Sequence, residues 1–266
     1  MILKVLEKMI YQLMLFCWRR FNWKPNKKTF FGNCLWMFSE KLTFDRTQII
    51  YLKNLGLLYY AIPKVANSSI KSLLAKELNL TGDISRKGGL AYLFNNKVES
   101  KKLFSEGILV TKRQALELQK SGAESFTVVR DPIKRLESFY NTCNVSSILM
   151  KNLIRFYGKN SFWLRMTFEE FSNSVCLIPD IISNRHFLSQ NSFIKYKGEI
   201  VVNYIFRLEN LDTEFSNFLI KKGLNFEKIK NVNQGKIKTS KTHNKSLMIK
   251  LKDRYKNDYK LLKQSI

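Results

Sequence analysis

Apolar positions along the chain come in two patterns. Short continuous runs occupy residues 57–62 (LLYYAI), 125–129 (SFTVV) and 201–206 (VVNYIF). Runs of this length and β-branched or aromatic content read as strands covered on both faces. Between them the apolar residues recur every three or four positions, which predicts helices over 68–79, 112–120, 133–141, 146–157, 168–175 and 211–222, and an amphipathic helix over about 246–263. Residues 81–107 read as a polar, glycine-bearing connection, most loop-like at SRKGG (85–89), and 229–244 as a basic, Asn-rich, flexible stretch. Strands separated by helices argue for a parallel sheet with helices on both faces. The expected fold class is therefore α/β: a P-loop-like three-layer fold with a central parallel sheet flanked by helices. No fixed-period repeat and no long Pro, Gly or Ser linker divides the chain. Residues 1–50 are expected to form a peripheral amphipathic segment and 51–266 the main domain.

The start, MILKVLEKMIYQLMLFCWRRFNWK, places Leu3, Leu6, Ile10, Leu13 and Phe16 on one helical face, flanked by Trp18, Arg19, Arg20 and Trp23. Lys4, Glu7, Lys8 and Gln12 interrupt its apolar runs, so it is too charged to span a bilayer, and no small-residue cleavage site follows. Two readings stay open: an interfacial membrane helix, or a helix docked on the protein's own core. The expected location is cytoplasmic, peripheral on the inner membrane face.

Composition changes the picture at one point. There are 46 Lys and Arg against 21 Asp and Glu, a net charge of +25. Such a surface attracts polyanions or anionic membranes, although a compositional bias shared with Asn and Ile gives the same excess. Cys17, Cys34, Cys143 and Cys176 are scattered and form no C-x-x-C pair; His186 and His243 are the two histidines. Neither a metal site nor a disulfide framework is expected.

Two stretches carry chemistry. In YYAIPKVANSSIKSLLAKEL (59–78) a strand runs through Pro63-Lys64 into a helix. A helix N-terminus beyond a strand's carboxyl end favours phosphate or sulfate. Ser68 or Ser69 can cap the helix and donate to an oxyanion, and Lys64 can place its ammonium on the same group. A Walker loop, G-x-x-x-x-G-K-S/T, has its lysine late and glycines before it; here the lysine comes first and no glycine is present. The other reading is a capped helix with Lys64 solvated. In FTVVRDPIKRLESFYN (126–141), Arg130 emerges at a strand end, Asp131-Pro132 opens a helix, and Arg135 and Ser138 share a helix face. Arg130 with Ser138 can hold a second phosphate, the arginine as a two-pronged donor. Alternatively RDP is an ion-paired strand end.

Together, PKVANSSI and VRDPIKRLESFY resemble the paired signature of sulfotransferases, of the family 2 type that acts on carbohydrates. NRHFLSQ (184–190) is similar to a family stretch of His, aromatic, any residue, Pro and Gln, with Ser189 in place of the proline. YIFRLENL (204–211) resembles a G-R-x-E-N-L element, with Phe206 where glycine is common. RYKNDY (254–259) resembles the terminal helix. The resemblance covers about 57–262. It implies 3′-phosphoadenosine 5′-phosphosulfate as co-substrate, no metal, and a carbohydrate or glycolipid acceptor. Lys64, the backbone of Val65, Ala66, Asn67, Ser68 and Ser69, and the two serine hydroxyls would hold the 5′-phosphosulfate. Arg130 and Ser138 would hold the 3′-phosphate. His186 is the candidate general base, because imidazole titrates near neutrality; a structural or acceptor-binding histidine is the other reading, and Glu99, Glu106 and Glu209 stay open as bases. Arg207 and Glu209 would form a structural ion pair. Asn233, Lys236, Lys238 or Lys241 would approach the 3′-phosphate, or lie in a solvated loop. A non-catalytic polyanion or nucleic-acid binder is the alternative; on the leading reading no nucleic acid is expected.

Overall fold

The computed structural model describes residues 9, 12–17, 47–82, 89–223 and 244–265. The expected loop positions 85–88 and the basic stretch through residue 243, with Asn233, Lys236, Lys238, Lys241 and His243, lie outside the described residues.

A five-stranded sheet forms the centre. Its strands are β1 (Gln48–Leu52), β2 (Leu57–Ala61), β3 (Leu109–Val110), β4 (Glu124–Val129) and, after a small separate hairpin of β5 (Lys195–Tyr196) and β6 (Glu199–Ile200), β7 (Tyr204–Arg207). The order across the sheet is β3-β1-β2-β4-β7. β2, β4 and β7 are mutually parallel, while β1 is antiparallel to both of its neighbours. All five residues of β2 are buried, the burial expected of an inner strand covered on both faces.

Successive side chains on a strand point to opposite faces, and the two tyrosines of β2 show what covers each. Tyr59 stacks on Phe126 of β4 at 5.0 Å, and Phe126 packs on Phe215 and Phe218. Those two phenylalanines belong to a π-helical turn, Leu211–Phe215, and the short helix that continues it. Tyr60 faces the other way, where its hydroxyl donates to Gln119 at 3.0 Å. The helices in chain order are α1 (Asn67–Glu77), α2 (Lys97–Ser105), α3 (Lys112–Lys120), α4 (Pro132–Val145), α5 (Ser147–Tyr157), α6 (Phe168–Leu177), α7 (Asn191–Ile194), α8 (Ser216–Lys221), α9 (Lys245–Arg254) and α10 (Lys256–Gln264). Gln119 is on α3. The molecule is thus an α/β sandwich of helices about a largely parallel sheet, as expected.

The hydrophobic core has two parts. One surrounds the sheet; the other is helical and gathers α4, α5, α6 and α9 around Phe139, Phe162, Phe171 and Phe187. Residues 12–17 are helical and dock on this second part through Met14 and Leu15. Leu13 and Phe16, each 58% exposed, point outward. None of the described helices is long and apolar enough to cross a membrane.

β1, β3 and α2 are among the elements not anticipated, as are α7 and the β5–β6 hairpin. β1 spans the expected boundary at residue 50, so the sheet begins a few residues earlier. β3 has two residues, too few to show a period. α2 lies inside what read as a connection; it buries Leu103 alone, and its start is set by Asn96, whose side-chain oxygen accepts from Val98 and Glu99 N–H groups. The C-terminal helix is broken at Tyr255 into α9 and α10.

α1 turns a lysine into the core. Lys71 is 1% exposed, and its ammonium donates to the Gln48 side-chain oxygen and, at 3.0 Å, to Asn95 Oδ1. Burial, with the charge of Arg185 adding to it, lowers its pKa from 10.5 to about 7. Between those values the unfolded chain binds more protons than the folded one, so stability rises with pH through this window and the penalty is fully felt below it. Lys71→Met is expected to abolish that rise. Denaturant unfolding at about pH 7 and about pH 8.5 should show wild type gaining on the order of 1–2 kcal/mol relative to the variant; parallel pH dependence would contradict it.

Candidate functional site

The site lies where β2 and β4 end. β2 delivers Pro63 and a turn that contains no glycine, yet Lys64 and Ala66 both have left-handed backbone, at φ 71° and 57°. Left-handed residues within such a turn aim successive N–H groups into one concavity, the anion nest of phosphate-binding loops. Ala66 precedes α1 and supplies no side-chain cap; Ile70 N–H is the first to find the Ala66 carbonyl, at 3.1 Å. The N-terminal turn of α1, with Asn67, Ser68 and Ser69, therefore opens toward the nest, where the helix dipole favours an anion.

A left-handed alanine costs about 1–2 kcal/mol that glycine avoids, against a smaller gain in unfolded-chain entropy. Ala66→Gly is accordingly expected to raise the unfolding free energy by about 1 kcal/mol. A lower melting temperature would show that the turn is not strained.

Lys64 reaches across to α4. Its ammonium donates to Thr142 Oγ1 at 2.5 Å, and that hydroxyl donates to the Ser138 carbonyl at 2.8 Å. The two sequence motifs thus meet: Lys64 of the first sits one turn from Ser138 of the second. Asp131 caps α4, accepting from Ile133 and Lys134 N–H groups at 3.0 and 2.9 Å, with Pro132 in its first turn. RDP is a capped helix start.

Arg130 stands at the end of β4 with its backbone clamped. Gln190 accepts from its N–H at 3.0 Å and donates to its carbonyl at 2.7 Å. Burial pushes the pKa of its half-buried guanidinium down, opposed by the charges of Glu209, Asp131 and Glu137. Arg130 and Ser138 are set in place by the same helix start rather than by a contact with each other.

His186 stacks on Phe139 of α4, with ring centroids 4.6 Å apart and planes 6° from parallel. Asn184 Oδ1 accepts from the His186 backbone N–H at 3.0 Å, which identifies that atom as oxygen. The same oxygen lies 2.8 Å from Nδ1, so Nδ1 carries the proton and Nε2 keeps its lone pair. Burial, then the charges of Arg185, Lys64 and Arg135, lowers the pKa from 6.5 to about 3. The ring is neutral at physiological pH, and Lys64 is close enough to help keep it so.

Several residues quoted within the sequence motifs hold the site together in a way the sequence did not assign. Arg135 is 1% exposed, and its guanidinium donates to the carbonyls of Pro63, Leu188 and Arg185 at 2.9, 2.7 and 3.1 Å. It fastens the nest to the 184–190 segment. The terminal motif does the same from the other side. Asp258, fully buried, accepts from Ser189 and from the N–H groups of Gln190 and Asn191 at 2.9 and 3.0 Å. Tyr255 donates to the Phe187 carbonyl at 2.8 Å. Ser189, which departs from the resembled proline, spends its hydroxyl on Asp258. Arg207 does not supply the expected pairing with Glu209: it donates to Ser265 Oγ at 2.9 Å and to the Leu262 carbonyl. Of the glutamates considered as bases, Glu106 lines a surface cavity with Leu52 and Lys53, at the edge of the sheet away from Pro63, and Glu99 lies in the first turn of α2.

A family model described as the sulfotransferase family matches residues 47–263, the whole sheet and both motifs. The chain belongs to the sulfotransferase family. No curated protein and no solved structure matches it. Membership assigns sulfuryl transfer to the chain, and the matched span includes the C-terminal helices whose Tyr255 and Asp258 hold residues 187–191.

Proposed function

We propose that this sulfotransferase moves a sulfuryl group from 3′-phosphoadenosine 5′-phosphosulfate to a carbohydrate hydroxyl, on a polysaccharide, glycan or glycolipid. The observation that carries the reading is the contact of Lys64 with Thr142, which joins a glycine-free anion nest to the helix bearing Ser138 and starting at Arg130. One donor molecule with anionic groups at two positions suits two such cradles.

On this reading the N–H groups and side chains of residues 65–69 hold the 5′-phosphosulfate, and Arg130 with Ser138 holds the 3′-phosphate. Sulfur forms a bond to the acceptor oxygen as its bond to the phosphate oxygen breaks. Lys64 neutralises the charge gathering on that departing oxygen. The acceptor proton passes to His186 Nε2, while Asn184 holds Nδ1–H in place. Burial is the main cause of the low His186 pKa; donor anions beside Lys64 would offset only the positive charges that add to it. The same reading keeps the protein on the inner membrane face, supported by the exposed stripe of Met9, Leu13 and Phe16 and by the net charge.

One set of titrations and assays tests it. Arg130→Ala is expected to weaken adenosine 3′,5′-bisphosphate binding by at least about tenfold, and the exposed Arg155→Ala by far less. His186→Ala is expected to keep that affinity and lose turnover by about 10²-fold or more. Equal losses in the two arginine variants would reduce the site to generic charge, and full activity in His186→Ala would remove it as the base.

A further inference from the structure

Arg130 leaves the sheet just past the point where the sheet can hold it. The ladder of β4 with β7 ends at the pair Val129 and Arg207, and Arg130 is one residue further on. A side chain takes the place of a strand there. Gln190 accepts from the Arg130 N–H at 3.0 Å and donates to its carbonyl at 2.7 Å, the two-way exchange that a hydrogen-bonded pair of strand residues makes. Gln190 is seated in turn by Asp258, in the first turn of α10. Asp258 Oδ2 accepts from the Gln190 N–H at 2.9 Å, and Oδ1 from the Asn191 N–H at 3.0 Å and the Ser189 hydroxyl. Burial pushes the pKa of this carboxyl up, opposed by those three hydrogen bonds and the charge of Arg135.

The next residue of α10 acts on the other side of Arg130. The Tyr259 phenol is hydrogen-bonded to Asp131, and burial together with the charge of that carboxylate pushes its pKa up. Asp131 is the cap of α4 and follows Arg130 directly. Consecutive residues of α10 thus fix Arg130 itself and the residue after it. The far end of the helix is tied to the same strand ends: Arg207, the ladder partner of Val129, donates to Ser265 Oγ at 2.9 Å and to the Leu262 carbonyl. Leu261 packs into the core around the sheet. Gln190 and Asp258 have no exposed surface, so they act on a ligand through Arg130 and do not touch it.

We infer that the start of α10 is the positioning element for 3′-phosphate recognition, an inference that rests on the proposed assignment of Arg130 to that phosphate. Asp258 through Gln190, and Tyr259 through Asp131, set the direction in which Arg130 leaves β4. A two-pronged donor is only as well aimed as the backbone that carries it, and a small misplacement forfeits the paired contact. Loosening Arg130 therefore costs the 3′-phosphate contact and spares the 5′-phosphate in the nest. Discrimination falls, and general nucleotide binding does not.

Calorimetric titration of the full chain with adenosine 3′,5′-bisphosphate and with adenosine 5′-phosphate measures that discrimination as a ratio of dissociation constants. Wild type is expected to favour the bisphosphate at least about tenfold, and Arg130→Ala to lose most of the preference. Gln190→Met keeps the length of the side chain without its amide. It is expected to lower the ratio about fivefold or more, with affinity for adenosine 5′-phosphate held within about twofold. Tyr259→Phe removes one hydroxyl and should lower the ratio about threefold; it decides the matter if Gln190→Met does not fold. Leu103→Ala truncates a buried side chain on α2, which costs stability, and should leave the ratio within about twofold. An unchanged ratio in Gln190→Met or Tyr259→Phe, where Arg130→Ala has lost its preference, overturns the inference. So does a loss in Gln190→Met that is equal for the two ligands, which is the mark of a merely structural residue. A wild-type ratio retained in Arg130→Ala overturns the assignment of Arg130, and the positioning role with it.

Discussion

Lys64→Ala is expected to lower turnover by about 10²- to 10³-fold, the loss typical when one preorganised donor to developing negative charge is removed. The structure supplies the reason for so large an effect. Lys64 is held by a left-handed turn and reaches α4 through Thr142, so its ammonium lies between the nest and the second motif. Stability should change little, because alanine and lysine carry the same left-handed backbone cost. Steady-state assays with labelled donor, together with thermal unfolding, check both halves. A variant retaining more than about a tenth of wild-type turnover would remove Lys64 from the transition state.

The second large effect is structural. Arg135→Ala is expected to destabilise the protein by about 3–5 kcal/mol, because it strands three buried carbonyls that one guanidinium satisfies. Those carbonyls belong to Pro63, Leu188 and Arg185, so the nest should also loosen and donor affinity fall. Arg135→Lys is the milder companion, since one ammonium lacks the planar fork that spans three acceptors. Denaturant unfolding decides. A loss below about 1 kcal/mol in Arg135→Ala would mean that water or a rearranged loop satisfies the carbonyls.

Both predictions show what the chain discloses before folding. The strand-turn-helix units at Lys64 and Arg130 are local, so their patterns were legible, and α3 was placed at its observed ends. The missing glycines were visible too, but not their consequence: that Lys64 and Ala66 take left-handed backbone regardless depends on the surroundings that hold the turn. Arg135 read as one face of an amphipathic helix beside Ser138. Its burial follows from where segment 184–190 crosses α4, a contact between residues about fifty positions apart. Asp258 stands in the terminal motif, but its part as the acceptor under Gln190 comes only from the fold. The N-terminal helix left its buried side open for a related reason. Its strongest apolar face, with Leu13 and Phe16, is not the one that docks; Met14 and Leu15 are. Periodicity identifies a helix, and only a partner surface selects its buried side.

The central claim is that two cradles at adjacent strand ends grip one donor, with the second specific for a 3′-phosphate. Titrating the wild-type chain with adenosine 3′,5′-bisphosphate and with ATP tests it most directly. The account predicts that the bisphosphate binds at least about tenfold more tightly, because ATP has no group for Arg130 and Ser138. ATP binding as tightly as the bisphosphate, or more so, would contradict it.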